Sequence, residues 1–363
     1  MTLKIDISGL PPERLRFAAS PLAELTAMLH VLAAPEHHPE QTALVAEVRS
    51  GLRPELAERL REAEFLWRSS QADFLLPARP RATLAEELDD VDRIDDDTYV
   101  TAALVSTCGS TRTPFATASP LTDPAARERA LSRAQARGPR QEAFAERLLT
   151  DPAAVRSRLR DTLEQCAAAF FDAVWADIVV RLATDLRLKS DLFRRQGLAA
   201  ALASVSGAVA LSPDADRILI DKLQDKATTA QDTGVTFIPS VFADPHLVVV
   251  HAPGWHPVVQ YPVPAQAPAT AFPVPLDTVT LRLEALTHPL RLRLLRTLAR
   301  GPHTTGELAH AWELSLPETS RHLAVLRAAG LLTSRRRGRY VHHTLHLPTV
   351  ATLGTDLLSA VLR

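Results

Sequence analysis

Cysteine is nearly absent: Cys108 and Cys166 are the two thiols in 363 residues. Two thiols make no disulfide framework and fit no metal-ligand spacing, so a reducing compartment is expected. Long apolar runs are missing as well. The most apolar stretch, Gln165 to Leu188, is broken by Asp172, Asp177, Arg181 and Asp185, so no membrane partner is expected. Met1 to Ser8 alternates apolar and polar residues and has no basic segment leading into an apolar one, so no signal peptide is read. The expectation is a soluble, cytoplasmic chain. Catalytic signatures are also lacking. No G-x-G-x-x-G, Walker loop, H-E-x-x-H or G-x-S-x-G occurs, and neither an enzyme nor a cofactor is expected. Net charge is all but absent, at −1 from 41 basic and 42 acidic side chains.

That balance conceals a split. Leu276 to Arg363 carries 12 arginines, no lysine and six acidic residues, a net of +6, which leaves −7 on the rest. Seven of the 13 histidines fall in the same stretch. A basic quarter attached to an acidic body is the pattern of a nucleic-acid-binding module fused to something else. With 46% hydrophobic and 23% charged residues, the chain buries a core, and its length suits two domains.

The N-terminal part reads as mainly α with a small antiparallel β element. Thr2 to Ile7 alternates like a strand. Ser20-Pro21 opens a helix as N-cap and first residue, with Leu22, Leu25, Leu29 and Leu32 on one face. Helices follow over Pro39 to Val48, Pro54 to Trp67, Thr83 to Leu88 and Asp97 to Val105. Asp123-Pro124 and Asp151-Pro152 start two more. The second leads into a nearly continuous helical stretch to about Val205, with Phe170, Phe171, Val174, Trp175, Ile178, Val179 and Leu182 facing inward. The period then changes to 2. Ala208 to Leu211, Arg217 to Ile220, Val235 to Ile238, Leu247 to His251 and Val258 to Tyr261 are strand candidates, with turns at Asp232-Thr233-Gly234 and Ala252-Pro253-Gly254. The acidic run Asp89 to Asp97 lacks the Gly and Glu of a calcium loop and reads as a solvated cap cluster.

Pro262 to Pro275 holds five prolines and reads as a semi-rigid polyproline II linker. The expected domains are therefore 1–261, a helical sensor or assembly domain, and 276–363, a DNA-binding module joined through 262–275. In the module, helices are expected over Val279 to Thr287, over Pro289 to Arg300 with Leu292, Leu295 and Leu298 inward, and over Gly306 to Trp312 behind Thr304 and Thr305. Ser315 caps a fourth helix, Leu316 to Ala329, closed by Gly330. Strands Leu331 to Arg336 and Tyr340 to Leu345 form an arginine-tipped hairpin, and Pro348 starts a last helix. This order is that of a winged helix-turn-helix. The helix entering the major groove needs short or polar residues in its first turns, here Ser315, Pro317, Glu318, Thr319, Arg321 and His322. Leu316, Leu323 and Leu326 would hold it on the scaffold. Arg321 can pair with guanine or grip a phosphate. Arg335, Arg336, Arg337 and Arg339 suit sequence-independent phosphate contact. Thr304 and Thr305 complete the DNA-facing set.

The run HPLRLRLL, TTGELA, S-x-x-x-x-S-R-H-L-x-V-L-R-x-A-G-L and R-R-x-G-R-Y closely resembles the ArsR/SmtB winged helices of bacterial repressors, over about 70 residues. The resemblance implies binding to double-stranded operator DNA and a homodimer paired through the first and last helices of the module. Leu353, Leu357, Leu358 and Val361 could supply that seam. Both metal sites known in the family are missing: the helix from Glu307 to Trp312 has no Cys, and Pro348 to Leu362 has one Asp and no His. His342, His343 and His346 read as structural or DNA-facing, so no metal site is assigned. The N-terminal part, through RFAASPLAEL, His38-Pro39 and IPSVF…VVHAPGW, is similar to a domain that precedes such winged helices in actinomycete regulators.

Candidate ligand groups in the large domain are few. Trp255, His256 and Tyr261, with His251 nearby, combine apolar bulk with polar tips and are the candidate effector-binding residues. Glu36-His37-His38-Pro39 reads as a turn and helix start, and Cys108 as a plain helix-end thiol. The expected function is a DNA-binding regulator, a repressor, whose large domain senses a small non-metal molecule. The alternative is a regulator whose large domain is an assembly or protein-partner module. An enzyme with a DNA-binding tail is the weakest reading.

Overall fold

The computed structural model describes residues 2–68, 71–108, 118–221, 225–263, 275–337, 340–354 and 356–357. The chain separates into two compact units, Met1–Ala265 and Gln266–Arg363.

In the first unit the helix Pro21–Ala33 begins where the sequence places it. The Ser20 hydroxyl accepts the Ala23 amide at 3.0 Å, and Pro21 occupies the first position. This helix is buried around most of its circumference, with Glu24 and Thr26 inside along with its leucines. Further helices follow in this part: Thr42–Gly51, Pro54–Ala63, Leu84–Asp92, Asp96–Cys108, Pro124–Arg137, Pro139–Thr150 and Pro152–Cys166. Leu66, Phe74, Tyr99, Phe144, Leu163 and Phe171 fill the core between them. The long helical stretch is broken twice, by a π turn over Ala167–Phe171 and by Gly197 at φ +85° between Asp172–Gln196 and Leu198–Val205. The acidic run is neutralised rather than vacant. Arg160 bridges Asp89, Asp92 and Glu164, and Arg156 pairs with Asp96.

The β element is larger than expected and is mixed rather than antiparallel. One sheet has β3 (Val209–Leu211), β4 (Arg217–Asp221), β1 (Thr2–Asp6) and β5 (Lys226–Thr229) in that order. Here β1 runs antiparallel to β4 and parallel to β5. The other has β2 (Leu15–Phe17), β6 (Val235–Ser240), β8 (Val258–Pro262) and β7 (Val248–Val250). Both β2–β6 and β6–β8 are parallel. Parallel partners lie far apart in sequence, so no hairpin turn announces them. The wholly buried β6 also fits the center of a parallel sheet. Gly234, at φ +93°, is required where β6 begins: a Cβ there would sit 2.3 Å from the Arg14 carbonyl oxygen. The linker starts later than Pro262, since Pro262 ends β8 and the Val263 amide donates to the Ser240 carbonyl at 2.8 Å. Residues 264–274, the bulk of the expected linker, lie outside the described residues, as do 109–117 of the Ser/Thr-rich loop.

The second unit holds helices Leu276–Leu286, Pro289–Leu298, Thr305–Ala311 and Leu316–Ala328, then a three-stranded sheet. Its order is β10 (Leu332–Arg337), β11 (Tyr340–Leu345), β9 (His303–Thr304). Leu294, Leu295, Leu298, Leu308, Leu323, Leu326 and Leu345 form its core. Two leucines expected inside are outside: Leu292 is 45% exposed and Leu316 58% exposed. Leu294 takes the inward place in the first case. In the second, Thr319 does.

Candidate nucleic-acid interface

The helix-turn-helix is built on three side-chain caps. His288 Nδ1 accepts the Leu290 amide at the start of Pro289–Leu298. Thr304 and Glu307 form a reciprocal capping box at the start of Thr305–Ala311. Ser315 accepts the Glu318 amide at 3.3 Å ahead of Leu316–Ala328. Each cap satisfies an amide that the helix cannot. Leu323 and Leu326 anchor the recognition helix to the core. Trp312 Nε1 donates to the Thr297 hydroxyl at 3.1 Å and ties the intervening turn to helix Pro289–Leu298.

This scaffold leaves Ser315, Pro317 and Arg321 exposed, with Glu318 and His322 half-exposed beside them. Arg321 Nε reaches back to the Pro317 carbonyl at 3.3 Å, which still leaves the end of the guanidinium at the surface. The His322 ring packs 4.7 Å from that of His288. Its partial burial, with the charges of His288 and Arg291, holds its pKa below the ordinary histidine value. Thr319 corrects the expectation. It is wholly buried and its hydroxyl donates to the Ser315 carbonyl at 3.0 Å, because its position in the helix turns it toward the core. It packs the helix and offers nothing to DNA.

In the hairpin, Arg335 stands opposite His342 and Arg336 opposite Val341, and both arginines are exposed. Arg339 and the side chain of Arg337 lie outside the described residues. Thr305 is engaged with the hairpin, its hydroxyl 3.1 Å from His343 Nε2. His343 Nδ1 in turn lies 2.9 Å from the Ser334 hydroxyl, so both ring nitrogens serve the fold. His346 Nδ1 contacts the Thr349 hydroxyl at 2.7 Å at the start of the last helical turn. Leu353 and Leu357 are half-buried against their own subunit, and the buried pair Arg282–Asp356, at 2.7 Å, ties this segment to the first helix. Leu358 and Val361 lie outside the described residues.

Residues 1–267 match the model of a family of unknown function (DUF5937), and residues 286–335 match a helix-turn-helix domain. The chain belongs to the DUF5937 family. Among curated relatives, it is 44% identical over 70 residues to the arsenic resistance transcriptional regulator ArsR1 of Pseudomonas putida, covering 19% of this chain and 55% of that protein. It is 34% identical over 112 residues to the HTH-type transcriptional repressor SmtB of Mycobacterium tuberculosis, covering 27% of this chain and 83% of that one. A solved homodimeric winged helix-turn-helix DNA-binding domain from Mycobacterium bovis is 31% identical, with 24% of this chain and 80% of that one covered and a TM-score of 0.21. This DUF5937 chain is thus an ArsR-type, DNA-binding transcriptional regulator with a large N-terminal domain, as its winged-helix motifs imply.

In the DUF5937 domain the three candidate effector residues are not brought together in a cleft. Tyr261 is wholly buried, and its hydroxyl donates to Asp185 at 2.7 Å, with Lys189 Nζ 3.3 Å from the same carboxylate. Trp255 packs between the helical core and the sheet of β6. His256 Nε2 lies 2.9 Å from the Thr236 hydroxyl, and burial, with Arg79 and Arg16, pushes its pKa down to about 4. Among the described residues, a cavity of about 350 Å³ lies instead among the helices Pro54–Ala63, Pro139–Thr150 and Pro152–Cys166. Ala63, Phe144, Val155 and Leu159 give it an apolar lining, and Arg59, Arg147 and Arg158 stand around them together with Glu62, Glu146 and Asp151. Sequence reading missed it because its lining comes from helix faces that look like ordinary core. Burial pushes Cys108 up to about 11 and Cys166 up to about 12, as suits plain buried thiols. The Glu36–Pro39 run forms the turns expected of it, Pro35–His37 and Pro39–Gln41. The fold adds what the run alone does not reveal: His30 and His246 stand beside it.

Proposed function

We propose that this chain is a repressor that binds a specific duplex operator as a homodimer, and that a small non-metal molecule in its large domain controls that binding. The observation that carries the DNA-binding half is the capped, core-anchored recognition helix with Arg321 exposed, beside a hairpin exposing Arg335 and Arg336. Arginine at the first turns of such a helix reads guanine or grips phosphate, and hairpin arginines add sequence-independent affinity. The repressor function of the relatives supports the same reading. Leu276 and Leu283, two turns apart on the first helix of the module and exposed by 55% and 38%, give a dimer seam together with Leu353 and Leu357. Two recognition helices then meet successive major grooves about 34 Å apart.

The control half rests on the cavity among the helices of the large domain. Its size and apolar lining suit a small organic molecule. An effector acts by binding one arrangement of the dimer better, and a coupling of about 1–3 kcal/mol changes operator affinity roughly 5–150-fold. The test is a thermal-shift screen of the full chain against metabolites and antibiotics. Each compound that raises Tm is then added to operator complexes. The expected result is a compound that shifts both, and that Leu159→Trp, which fills the cavity, no longer lets bind. Compounds that stabilise the chain and leave operator affinity unchanged would remove the control reading.

A further inference from the structure

Four histidines converge in the DUF5937 domain. His30 is in the last turn of Pro21–Ala33, His37 and His38 are in the turns that follow, and His246 comes from the loop between β6 and β7. The six distances between their ring centers run from 4.9 Å (His30–His246) to 6.2 Å (His37–His38). One ring nitrogen from each of His30, His37 and His246 lies within 4.8 Å of the others. The nearest pair, His37 Nδ1 and His246 Nε2, is 3.2 Å apart. Imidazoles bound tetrahedrally at about 2.0–2.1 Å from zinc have nitrogens about 3.3–3.4 Å apart and ring centers about 5 Å apart. The ring centers are near that separation, and the His37–His246 nitrogen pair is already at the tetrahedral distance.

The hydrogen bonds orient the rings the same way. His30 Nδ1 lies 2.9 Å from the Trp67 carbonyl oxygen and donates to it, which fixes the tautomer with the lone pair on Nε2. That Nε2 is buried and has no hydrogen-bond partner. His38 repeats the arrangement: it bonds to the backbone of Asp244, and its Nε2 is buried and unpartnered. A ring held by a carbonyl on one nitrogen with the other aimed inward is the usual support for a metal-ligating histidine. Two buried acceptors without a protein partner, side by side, are what a bound cation would satisfy.

We propose that His30, His37 and His246, with His38 as fourth donor, bind one divalent transition-metal ion of the zinc class. An all-imidazole donor set suits zinc, cobalt, nickel or copper and disfavours calcium and magnesium, which take oxygen ligands. The ion clips the end of the first helix to the β6–β7 loop, joining residues 209 positions apart. It is separate from the cavity among the helices and does not depend on that effector.

The test uses the full chain, stripped of metal with a chelator, and zinc or cobalt as the probe. Calorimetry is expected to find one zinc bound per chain. Cobalt is expected to give the intense visible bands of tetrahedral coordination. His246→Gln, in a loop, and His38→Asn are each expected to weaken zinc at least about 10-fold while the metal-free protein keeps its circular dichroism. Absence of stoichiometric uptake by the wild-type chain would overturn the proposal. So would uptake that both variants leave at wild-type affinity, which would place the metal elsewhere on the chain. An octahedral cobalt spectrum would overturn the four-histidine coordination.

Discussion

The winged helix and the DUF5937 domain dispose of their polar groups in opposite ways. In the winged helix the buried polar residues are bonded within the protein: Thr319 to Ser315, His343 to Ser334 and Thr305, Asp356 to Arg282. Arg321, Arg335 and Arg336 stand outside on a small leucine core. In the large domain many surface charges are paired, as Arg160 and Arg156 are, while its unusual groups are inside. Glu24 and Glu87 are buried and pushed up to about 7, chiefly by that burial, and Asp185, Lys189 and Tyr261 form a buried set. A polyanion is met by exposed charge on a rigid frame, and a small ligand or ion by groups enclosed away from water.

Substitutions can break that contrast, and the largest effect is expected in the core of the reader. Leu323→Ala should lower the stability of the winged helix by about 2–5 kcal/mol and remove DNA binding with it. Denaturant unfolding followed by circular dichroism, beside an anisotropy titration, checks both. Tyr261→Phe probes the buried set of the large domain. It removes a hydrogen bond to a charged group and should cost about 1.5–3 kcal/mol in unfolding free energy, with DNA affinity kept. Lost DNA affinity at full stability would contradict the assignment of Tyr261 to the fold.

His256 sharpens the contrast through pH. Its folded pKa of about 4 lies below the ordinary 6.5, so protons bind the unfolded chain first. The stability this histidine contributes is present above about 6.5 and is lost as pH falls toward 4. His256→Asn has no such group, so its Tm should fall less than the wild type's between pH 7 and 4.5. The difference is about 1–2 kcal/mol once the ring's partial exposure is discounted. Equal losses in the two proteins would contradict it. The smallest effect is expected from Arg335→Ala, which should weaken all duplexes alike and reduce the slope of log affinity against log salt by about 1.

The winged helix was legible because its signals are local. Thr304, Ser315 and Gly330 punctuate the helices, and the apolar spacing of Leu323 and Leu326 marks the inward face. The errors were local too: Thr319 and Leu316 exchange their expected roles because Thr319, not Leu316, lies on the helix face turned to the core. The large domain was legible in its helix starts, at Pro21, Pro124 and Pro152, and in six of its strands. Its sheet pairings were not, since β1–β5 and β2–β6 join segments more than 200 residues apart. The His30–His246 juxtaposition escaped for the same reason. No ligand motif spaces its residues that far, and only the seating of the β6–β7 loop against the end of the first helix brings them together.

The central claim is that this chain reads base sequence through the recognition helix, and Arg321 tests it most directly. Duplexes enriched from a randomised pool by the full-length protein, and scrambled versions of them, are titrated by fluorescence anisotropy with wild type and Arg321→Ala at fixed salt. The account predicts that the variant folds normally and that its preference for the enriched duplex falls by about 1–3 kcal/mol, relaxed at one base position. An unchanged ratio between enriched and scrambled duplexes would contradict it.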